Sequence, residues 1–547
     1  MEASTNGARE SLCPSLSQLG LYGKHPIHEA ATRPLHVVIV GAGPSGIALA
    51  IQLKSLAHIT YQVFEKNADV GGTWFENRYP GAACDVASHA YQYTFASNPN
   101  WSHHFAPAEE IGEYFKAVTA RFELYGCIKL NTEVKRAEWD EEGGIWAIDV
   151  VNYATGEHSR VTGDIFVNAG GILNAWKWPE IDGLGTFDGP CLHTAAWDSS
   201  VDVKGKRIGV IGSGATGVQV VPQLQRVGTS VTVFVRNPSY ILPNVGEEQK
   251  QAFQNDADAY TRFRKAVEQQ MNGNFSASIK GSVAQHEARN WAEKAMREAI
   301  VSKELQDKLI PDWELGCRRI TPGLPYLKAV QEANVQIVRT PIDRISENGI
   351  HTKGGAQHEF DIIVCATGFD TSFRPRYPII GQNHVDLRDL WREQTPEAYM
   401  GLAVSGFPNY FTILGPNCPI ANGSLIPCIE WRSSAKYICE AVQKIQRCQI
   451  RTLDVRLHMQ KSLNEYMQNV HRDLVWTGNC ASWYKDRTTG KVTAVWPGSS
   501  IHYMEAIESP RWEDYEIEYC NRNPYTFLGS GVSQKEANGD DLAFYLV

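Results

Sequence analysis

The sequence PLHVVIVGAGPSGIALAIQLK, residues 34–54, has the pattern of a strand, a glycine turn and a helix. The apolar run from Val37 to Val40 predicts a short buried strand, and a helix follows the glycines. Gly41, Gly43 and Gly46 stand between the two elements in GxGxxG spacing. The first glycine permits a tight turn, the second lets the backbone approach a pyrophosphate, and the third allows close helix–strand packing. Because the helix N-terminus offers free amides to phosphates, the stretch predicts a dinucleotide-binding unit.

A second copy of this pattern follows in KRIGVIGSGATGVQVVPQL, residues 206–224. Its fingerprint residues are Gly212, Ser213, Gly214, Thr216 and Gly217. One GxGxxG also occurs in ordinary glycine turns, whereas two copies in strand–turn–helix context favour two bound dinucleotides. The predicted fold is α/β, with two Rossmann-like dinucleotide-binding domains and a helical insertion in the second.

The two copies carry opposite charges at the same distance from their first glycine. Glu65 lies 24 residues after Gly41, and Arg236 lies 24 residues after Gly212. A carboxylate can accept both ribose hydroxyls of an adenosine, whereas a guanidinium can bind a 2′-phosphate bidentately. The first unit therefore suits FAD and the second NADPH, although Arg236 alone could also be a solvated charge at a strand end.

Composition limits the classes of function. The 547 residues carry a formal net charge of −9, which argues against a nucleic-acid partner, and 43% of them are hydrophobic, as in globular proteins. No window approaches 18 uninterrupted apolar residues, so no transmembrane helix is expected. The N-terminal residues lack an apolar core with a cleavage site. An acidic cytoplasmic enzyme is the simplest interpretation, with its oligomeric state left open.

The cysteines and histidines do not indicate a metal site. Twelve cysteines are scattered without a CxxC pair, and the His103–His104 pair has no acidic partner at ligand spacing. Reduced thiols are expected in an intracellular compartment. We therefore expect no metal.

Two further stretches carry a family resemblance. GGTWFENRYPGAACD, residues 71–85, fits GGxWxxxxYPGxxxD, and FDGPCLHTAAWD, residues 187–198, fits FxGxxxHxxxW followed by Asp. With both glycine fingerprints, the chain resembles the Baeyer–Villiger monooxygenases, which are class B flavin monooxygenases, over about residues 34–500. Its length and its GCRRITPG segment resemble fungal members that act in secondary metabolism.

The resemblance implies an activity. Such enzymes use FAD, NADPH and O2 to insert one oxygen atom beside a ketone carbonyl, which gives an ester or lactone. A polyketide or terpenoid intermediate is the implied substrate. N- or S-oxygenation or hydroxylation on the same fold is the alternative, and a flavin-binding protein without turnover is a third hypothesis.

The resemblance also implies site residues. In ELGCRRITPGLPYLKAV, residues 314–330, Arg319 matches the active-site arginine and Arg318 a residue that helps to hold the NADP phosphate. Asp85 matches the aspartate that pairs with this arginine, although Ala83 replaces an arginine common in the family. The residues that match cofactor contacts are Thr73, Trp74, Tyr91, Val134 and Trp483. From the residues alone, an arginine pair can be a solvated patch, Asp85 a capping carboxylate, and the aromatics core residues.

The segment 187–198 is expected to link the two domains. His193 is interpreted as an interdomain hydrogen-bonding residue or, alternatively, as a proton-handling one, and Trp197 as a packing anchor. The expected domains are an N-terminal extension (1–33), an FAD domain in two parts (34–186 and 362–547, the latter with a C-terminal tail), and an NADP domain (199–361) with helices at about 246–312.

Overall fold

Two five-stranded parallel sheets organise the computed structural model, which describes residues 26–27, 33–242, 256–430 and 432–546. The strands in chain order are β1 Leu35–Val40, β2 Ile59–Phe64, β3 Ile128–Lys129, β4 Thr132–Asp140, β5 Ile145–Asn152, β6 Glu157–Gly163, β7 Ile165–Asn168, β8 Cys191–His193, β9 Arg207–Ile211, β10 Ser230–Phe234, β11 Ile241–Leu242, β12 Thr321–Pro322, β13 Val335–Val338, β14 Ile342–Ser346, β15 Gly349–Thr352, β16 Gln357–Glu359, β17 Ile362–Cys365, β18 Ile379–Ile380, β19 Tyr410–Thr412, β20 Ile450–Val455 and β21 Tyr515–Tyr519.

Helices cover and connect the sheets. In chain order they are α1 Pro44–Leu53, α2 Thr73–Glu76, α3 Ala108–Arg121, α4 Ala215–Val227, α5 Ala257–Asn272, α6 Val283–Ala299, α7 Lys303–Leu309, α8 Leu324–Ala329, α9 Leu387–Glu393, α10 Leu425–Ile429, α11 Ser434–Arg447, α12 Leu457–His471, α13 Ser500–Ala506 and α14 Gln534–Asn538. None of the helices in the described ranges is long and apolar enough to cross a membrane.

The first sheet has the strand order β19-β7-β1-β2-β3. Strand β1 is buried on both faces, which explains its continuous apolar sequence. Because side chains alternate along a strand, Val37 and Ile39 pack into the core that includes α1 and α11, whereas Val38 packs against Trp139 and Trp146 of the β4-β5-β6 layer. The first predicted fingerprint therefore lies at the centre of this sheet.

The second sheet has the order β13-β10-β9-β17-β8 and contains the second fingerprint between β9 and α4. Two of its strands lie outside the range expected for the NADP domain. Strand β17 pairs with β9, and β8, from the expected linker, pairs with β17. The boundary expected between 361 and 362 therefore cuts this sheet, because a short apolar strand does not show in its own sequence which sheet it joins. The α/β fold with two Rossmann-like units is confirmed.

The glycine turns take the geometry that the spacing predicts. Gly41 has φ +100° and Gly212 has φ +113°, a region that side-chain-bearing residues rarely adopt. A Cβ at Gly46 would lie 1.9 Å from the carbonyl oxygen of Gly41, and one at Gly217 would lie 2.5 Å from that of Gly212. The third glycine of each copy is thus required for helix–strand contact.

The start expected for the helical insertion, at about residue 246, lies outside the described residues, which continue at 256 after 242. The later part of the helices expected at about 246–312 consists of two helices, α6 and α7. Ser302 starts the second helix, because its side chain accepts a hydrogen bond from the Leu305 amide. Most of the expected N-terminal extension, 1–25 and 28–32, also lies outside the described residues.

The expectation of reduced thiols is wrong for one pair of cysteines. Cys317 and Cys480 form a disulfide, with Cα atoms 6.2 Å apart. They are separated by 163 residues, so no local cysteine spacing in the sequence predicts the bond. Chain folding alone brings them within the range that a disulfide spans.

Candidate active site

A large cavity lies between the two parallel-sheet units. Its volume is about 2770 Å³, well above the ~300–1,000 Å³ of ordinary ligand pockets. The sequence-predicted site residues that line it are Gly41, Gly43, Glu65, Thr73, Trp74, Asp85, Tyr91, Val134, Gly212, Ser213, Gly214, Thr216, Arg236, Arg318, Arg319 and Trp483. Gly46 and Gly217 are absent from the lining, because each packs a helix against its own turn. The cavity has room for two dinucleotides and a substrate.

The glycine turn 41–46, the start of α1 and Glu65 form a first cradle, which has the features that FAD requires. Gly43 caps α1 without a side-chain hydrogen bond, so the first-turn amides stay available for phosphate oxygens. Glu65, at the end of β2, is buried, and its Oε2 and Oε1 accept hydrogen bonds of 2.8 Å each from the Ala42 and Asn67 amides. Burial raises its pKa, while both amides oppose that shift. Each carboxylate oxygen keeps a further lone pair for a ribose hydroxyl.

The glycine turn 212–217, the start of α4 and Arg236 form a second cradle. Its middle glycine is more open than that of the first cradle, where a Cβ at Gly43 would lie 3.5 Å from Gly72. A Cβ at Gly214 would meet nothing within 4 Å, and α4 also begins without a side-chain cap. Arg318 donates from Nη1 to the carbonyl oxygens of Asn237 and Pro238, at 3.1 and 3.3 Å. Burial lowers the pKa of Arg318, and the nearby positive charge of Arg236 lowers it further.

Two guanidinium groups therefore face one region of the second cradle. Within the described ranges, no carboxylate forms an ion pair with Arg236 or Arg318. Such an uncompensated pair is suited to a doubly charged phosphate group, which would offset the repulsion between the two arginines. This arrangement fits the 2′-phosphate of NADPH.

Arg319 and Asp85 form a bidentate ion pair at the junction of the two cradles. Arg319 donates from Nε to Asp85 Oδ2 at 2.5 Å and from Nη2 to Oδ1 at 2.6 Å, while Nη1 lies 3.3 Å from the Ile420 carbonyl oxygen. The Asp85 charge raises the pKa of Arg319 further above its ordinary value. Burial alone would raise the pKa of Asp85, but Arg319 holds it below the usual range. The pair therefore stays charged at neutral pH.

Comparison with known proteins assigns the family. The profile described as "FMO-like: Flavin-binding monooxygenase-like" matches residues 35–389. The chain belongs to this family of flavin-binding monooxygenases. It is 40% identical over 529 residues to the FAD-binding monooxygenase stcW of Emericella nidulans, covering 93% of this chain and 88% of the relative. It is 34% identical over 516 residues to a Baeyer–Villiger monooxygenase of Pseudomonas aeruginosa, covering 93% and 96%.

Solved structures agree with this assignment. Cyclohexanone monooxygenase from Rhodococcus sp. Phi1 bound to NADP⁺ superposes with a TM-score of 0.76 at 29% identity, over 89% of this chain and all of that one. The resemblance to Baeyer–Villiger monooxygenases is confirmed, and the protein is a monooxygenase with FAD and NADP as its cofactors. The relatives support this reading over N- or S-oxygenation.

Polar contacts of the monooxygenase that the sequence did not predict join the 71–85 motif to the second unit. Tyr79 donates from its hydroxyl to Gln219 Oε1 at 2.6 Å, and Gln219 donates from Nε2 to the Ala83 carbonyl oxygen at 2.9 Å. Gln219 lies on α4, so the two cradles are connected through this side chain. At Ala83, the carbonyl oxygen of the backbone accepts the hydrogen bond from Gln219.

A second missed residue of the monooxygenase is Tyr484, which lines the cavity beside Trp483, with ring centroids 5.0 Å apart. Burial raises the pKa of Tyr484, and the neighbouring Arg319 charge opposes that shift. Its adjacency to Trp483 in sequence was the available signal. Trp74 and Tyr91 also meet edge to face at the cavity, with centroids 5.3 Å apart.

His193 of the monooxygenase is buried and hydrogen-bonded at both ring nitrogens. It stacks on Trp176 with centroids 4.6 Å apart. Nδ1 accepts from the Ala195 amide at 3.1 Å, so Nε2 carries the proton and donates to Thr367 Oγ1 at 3.2 Å. Burial lowers the pKa of His193 to about 4. These contacts support a neutral linking residue between the 187–198 segment and Thr367.

His193→Gln is expected to leave the pH profile of NADPH oxidation unchanged. A histidine with a pKa near 4 is neutral throughout the range from about pH 5 to pH 9, so it has no proton to exchange there. Glutamine keeps a donor for Thr367. The rate of NADPH oxidation would be followed at 340 nm (about the nicotinamide absorbance maximum). Loss of the acidic limb of the profile in the variant would contradict a structural role.

Proposed function

We propose that the enzyme oxidises a bulky, largely apolar ketone to an ester or lactone, with the Arg319–Asp85 pair at the reacting centre. The observation that carries the proposal is the position of this pair, a fixed bidentate cation on the wall of the cavity that both cradles share. A fixed cation stabilises negative charge that develops on oxygen atoms during transfer.

The first cradle would hold FAD. The amides at the start of α1 would bind its pyrophosphate, and Glu65 its adenosine ribose. Thr73, Trp74 and Tyr91 line the adjacent wall and would contact the flavin, with Val134 on the adenine side. When bound and reduced, the flavin supplies the activation of O2.

The second cradle would hold NADPH. Gly214 leaves room for its pyrophosphate, and Arg236 with Arg318 would bind the 2′-phosphate. Ser213 and Thr216 line the turn, and Trp483 would approach the nicotinamide ribose. Arg319 follows Arg318 directly in the chain, so one segment would carry both the residue for the phosphate and the residue for the reacting centre.

Arg319 would stabilise negative charge on the transferred oxygen and on the carbonyl oxygen of the ketone. Asp85 keeps the guanidinium oriented by its two hydrogen bonds. Both side chains are half-buried in the cavity wall, and bound cofactors and substrate would displace further water, which would strengthen this electrostatic stabilisation. Neither residue needs to transfer a proton for this role.

The substrate side of the cavity has apolar walls. Phe263, Val267 and Met271 of α5 line it together with Leu425 and Ile426 of α10. These side chains favour an apolar carbon skeleton, and the large cavity leaves room for one bigger than a small cyclic ketone. A polyketide or terpenoid intermediate of secondary metabolism is the substrate class that we propose. The cytoplasmic location expected from the sequence stays a prediction.

The proposal is tested with isotopically labelled oxygen. Holoenzyme, NADPH and ¹⁸O2 are incubated with a panel of ketones graded from cyclohexanone to polycyclic aromatic and terpenoid ketones, and products are identified by mass spectrometry. One ¹⁸O atom per ester, with turnover increasing with ketone size, is the expected result. Oxidation of thioethers or amines without any ester from the panel would contradict the proposed reaction.

A further inference from the structure

The disulfide between Cys317 and Cys480 has no part in the chemistry described above. Both cysteines are buried, with exposed fractions of 0% and 3%. Cys317 stands two residues before Arg319, and Cys480 stands three residues before Trp483. The bond thus joins the arginine-bearing segment to a segment from the far end of the chain.

Both joined segments form walls of the same cavity. The lining residues are Gly316, Arg318 and Arg319 on the Cys317 side, and Ala481, Ser482, Trp483 and Tyr484 on the Cys480 side. Burial raises the pKa of Tyr484, and the charge of Arg319 opposes that shift. A side chain of one wall therefore interacts with a side chain of the other. The disulfide lies at the base of this contact.

The two segments pack closely around the bond. A Cβ at Gly478 would lie 3.0 Å from Cys317 Sγ and 2.7 Å from Glu314 Oε2, so any side chain there would have to displace its neighbours. Lys485 donates from Nζ to the Gly478 carbonyl oxygen, which folds the segment back over the bond. A separation of the two segments would therefore move Arg318 and Arg319 relative to Trp483.

Contacts nearby hold the fold without the bond. The Lys280 amide donates to the Asp473 carbonyl oxygen at 2.8 Å, and Lys280 Nζ donates to that of Arg472 at 3.1 Å. The Gln285 side chain donates to the Leu315 carbonyl oxygen at 2.8 Å. Variants that lack the disulfide are thus expected to fold with both walls adjacent but less tightly fixed.

We propose that Cys317 and Cys480 are a positioning pair: their disulfide fixes the Arg319 segment against the 480–484 wall, and reduction to two thiols loosens it. The idea rests on the proposed function, in which Arg319 must keep one position. Opening the bond takes two electrons and two protons from a dithiol reductant, which ends as a cyclic disulfide. Closing it returns the two electrons to hydrogen peroxide, which leaves as two molecules of water.

The bond itself is tested first by mass spectrometry. Holoenzyme is treated with hydrogen peroxide, alkylated in denaturant without reductant and digested. A linked peptide pair containing Cys317 and Cys480 is expected, and it should disappear after treatment with dithiothreitol. Alkylation of both cysteines after the peroxide treatment would overturn the proposal.

The positioning role is tested with C317S, C480S and the double variant, with C520S as the control for loss of an exposed free cysteine. Without any ketone, the first three are expected to release hydrogen peroxide from NADPH about tenfold faster than the wild type, because a small displacement of a positioning group is costly. The same three variants should bind NADP⁺ more weakly than the wild type, while their FAD content stays unchanged. The double variant should equal the single ones, since all three lack the same bond.

Wild-type enzyme reduced with dithiothreitol should behave as the double variant does, and reoxidation should restore it. A lower melting temperature with unchanged peroxide release and NADP⁺ affinity would overturn the positioning role, because it would leave the bond only a stabilising one. None of these readouts needs a ketone, so failure of the ketone panel remains distinguishable from failure of this proposal.

Discussion

Arg319→Ala is expected to lower ester formation by about 10³-fold, in line with the loss of a preorganised charge at a reacting centre. FAD should remain bound, because Arg319 contacts Asp85 and the Ile420 carbonyl and lies apart from the first glycine turn. NADPH oxidation should continue and yield hydrogen peroxide in place of ester. The measurement is the ratio of ester to NADPH consumed, with FAD content from the flavin absorbance.

Two companion variants make this result specific. Arg319→Lys keeps a positive charge but loses the bidentate geometry with Asp85, so it should recover only part of the ester yield. Arg487→Ala removes an exposed arginine from the same cavity and should have little effect. Full ester formation by Arg319→Ala would show that Arg319 has no role at the reacting centre. Asp85 would then have no functional role through Arg319.

The parts of the fold that the sequence predicted are those with local causes. The glycine turn at Gly41 needs a positive φ and the packing at Gly46 needs a missing Cβ, and both requirements appear as residue types at fixed spacing. The same holds for the second copy. The sequence therefore predicts the residues of both turns, although it does not predict the cavity between them.

The remaining features depend on contacts between distant segments. The disulfide joins residues 163 apart, and β8 joins its sheet through β17, about 170 residues later in sequence. Gln219 was missed because a glutamine on a helix has no distinctive pattern, although its amide bridges Tyr79 and Ala83. The pairing of Arg319 with Asp85 came from family resemblance, since the two stand 234 residues apart.

Arg236→Ala is expected to raise the Michaelis constant for NADPH about 10- to 100-fold, the typical loss for a hydrogen bond to a charged group. The constant for NADH should change little, because NADH lacks the 2′-phosphate. Arg318→Ala should act in the same direction, and more strongly on NADPH than on NADH, since Arg318 lies next to Arg236.

The double variant distinguishes a shared phosphate site from two separate contacts. If both guanidiniums bind one phosphate, removing the second should add less than removing the first, because coupled contacts are not additive. Arg226→Ala, an exposed arginine near the end of α4, is the matched control and should leave both constants unchanged. Initial rates of NADPH and NADH oxidation at several ionic strengths would give the constants. Equal losses for both coenzymes would show that the two arginines hold the second unit together and do not read the phosphate.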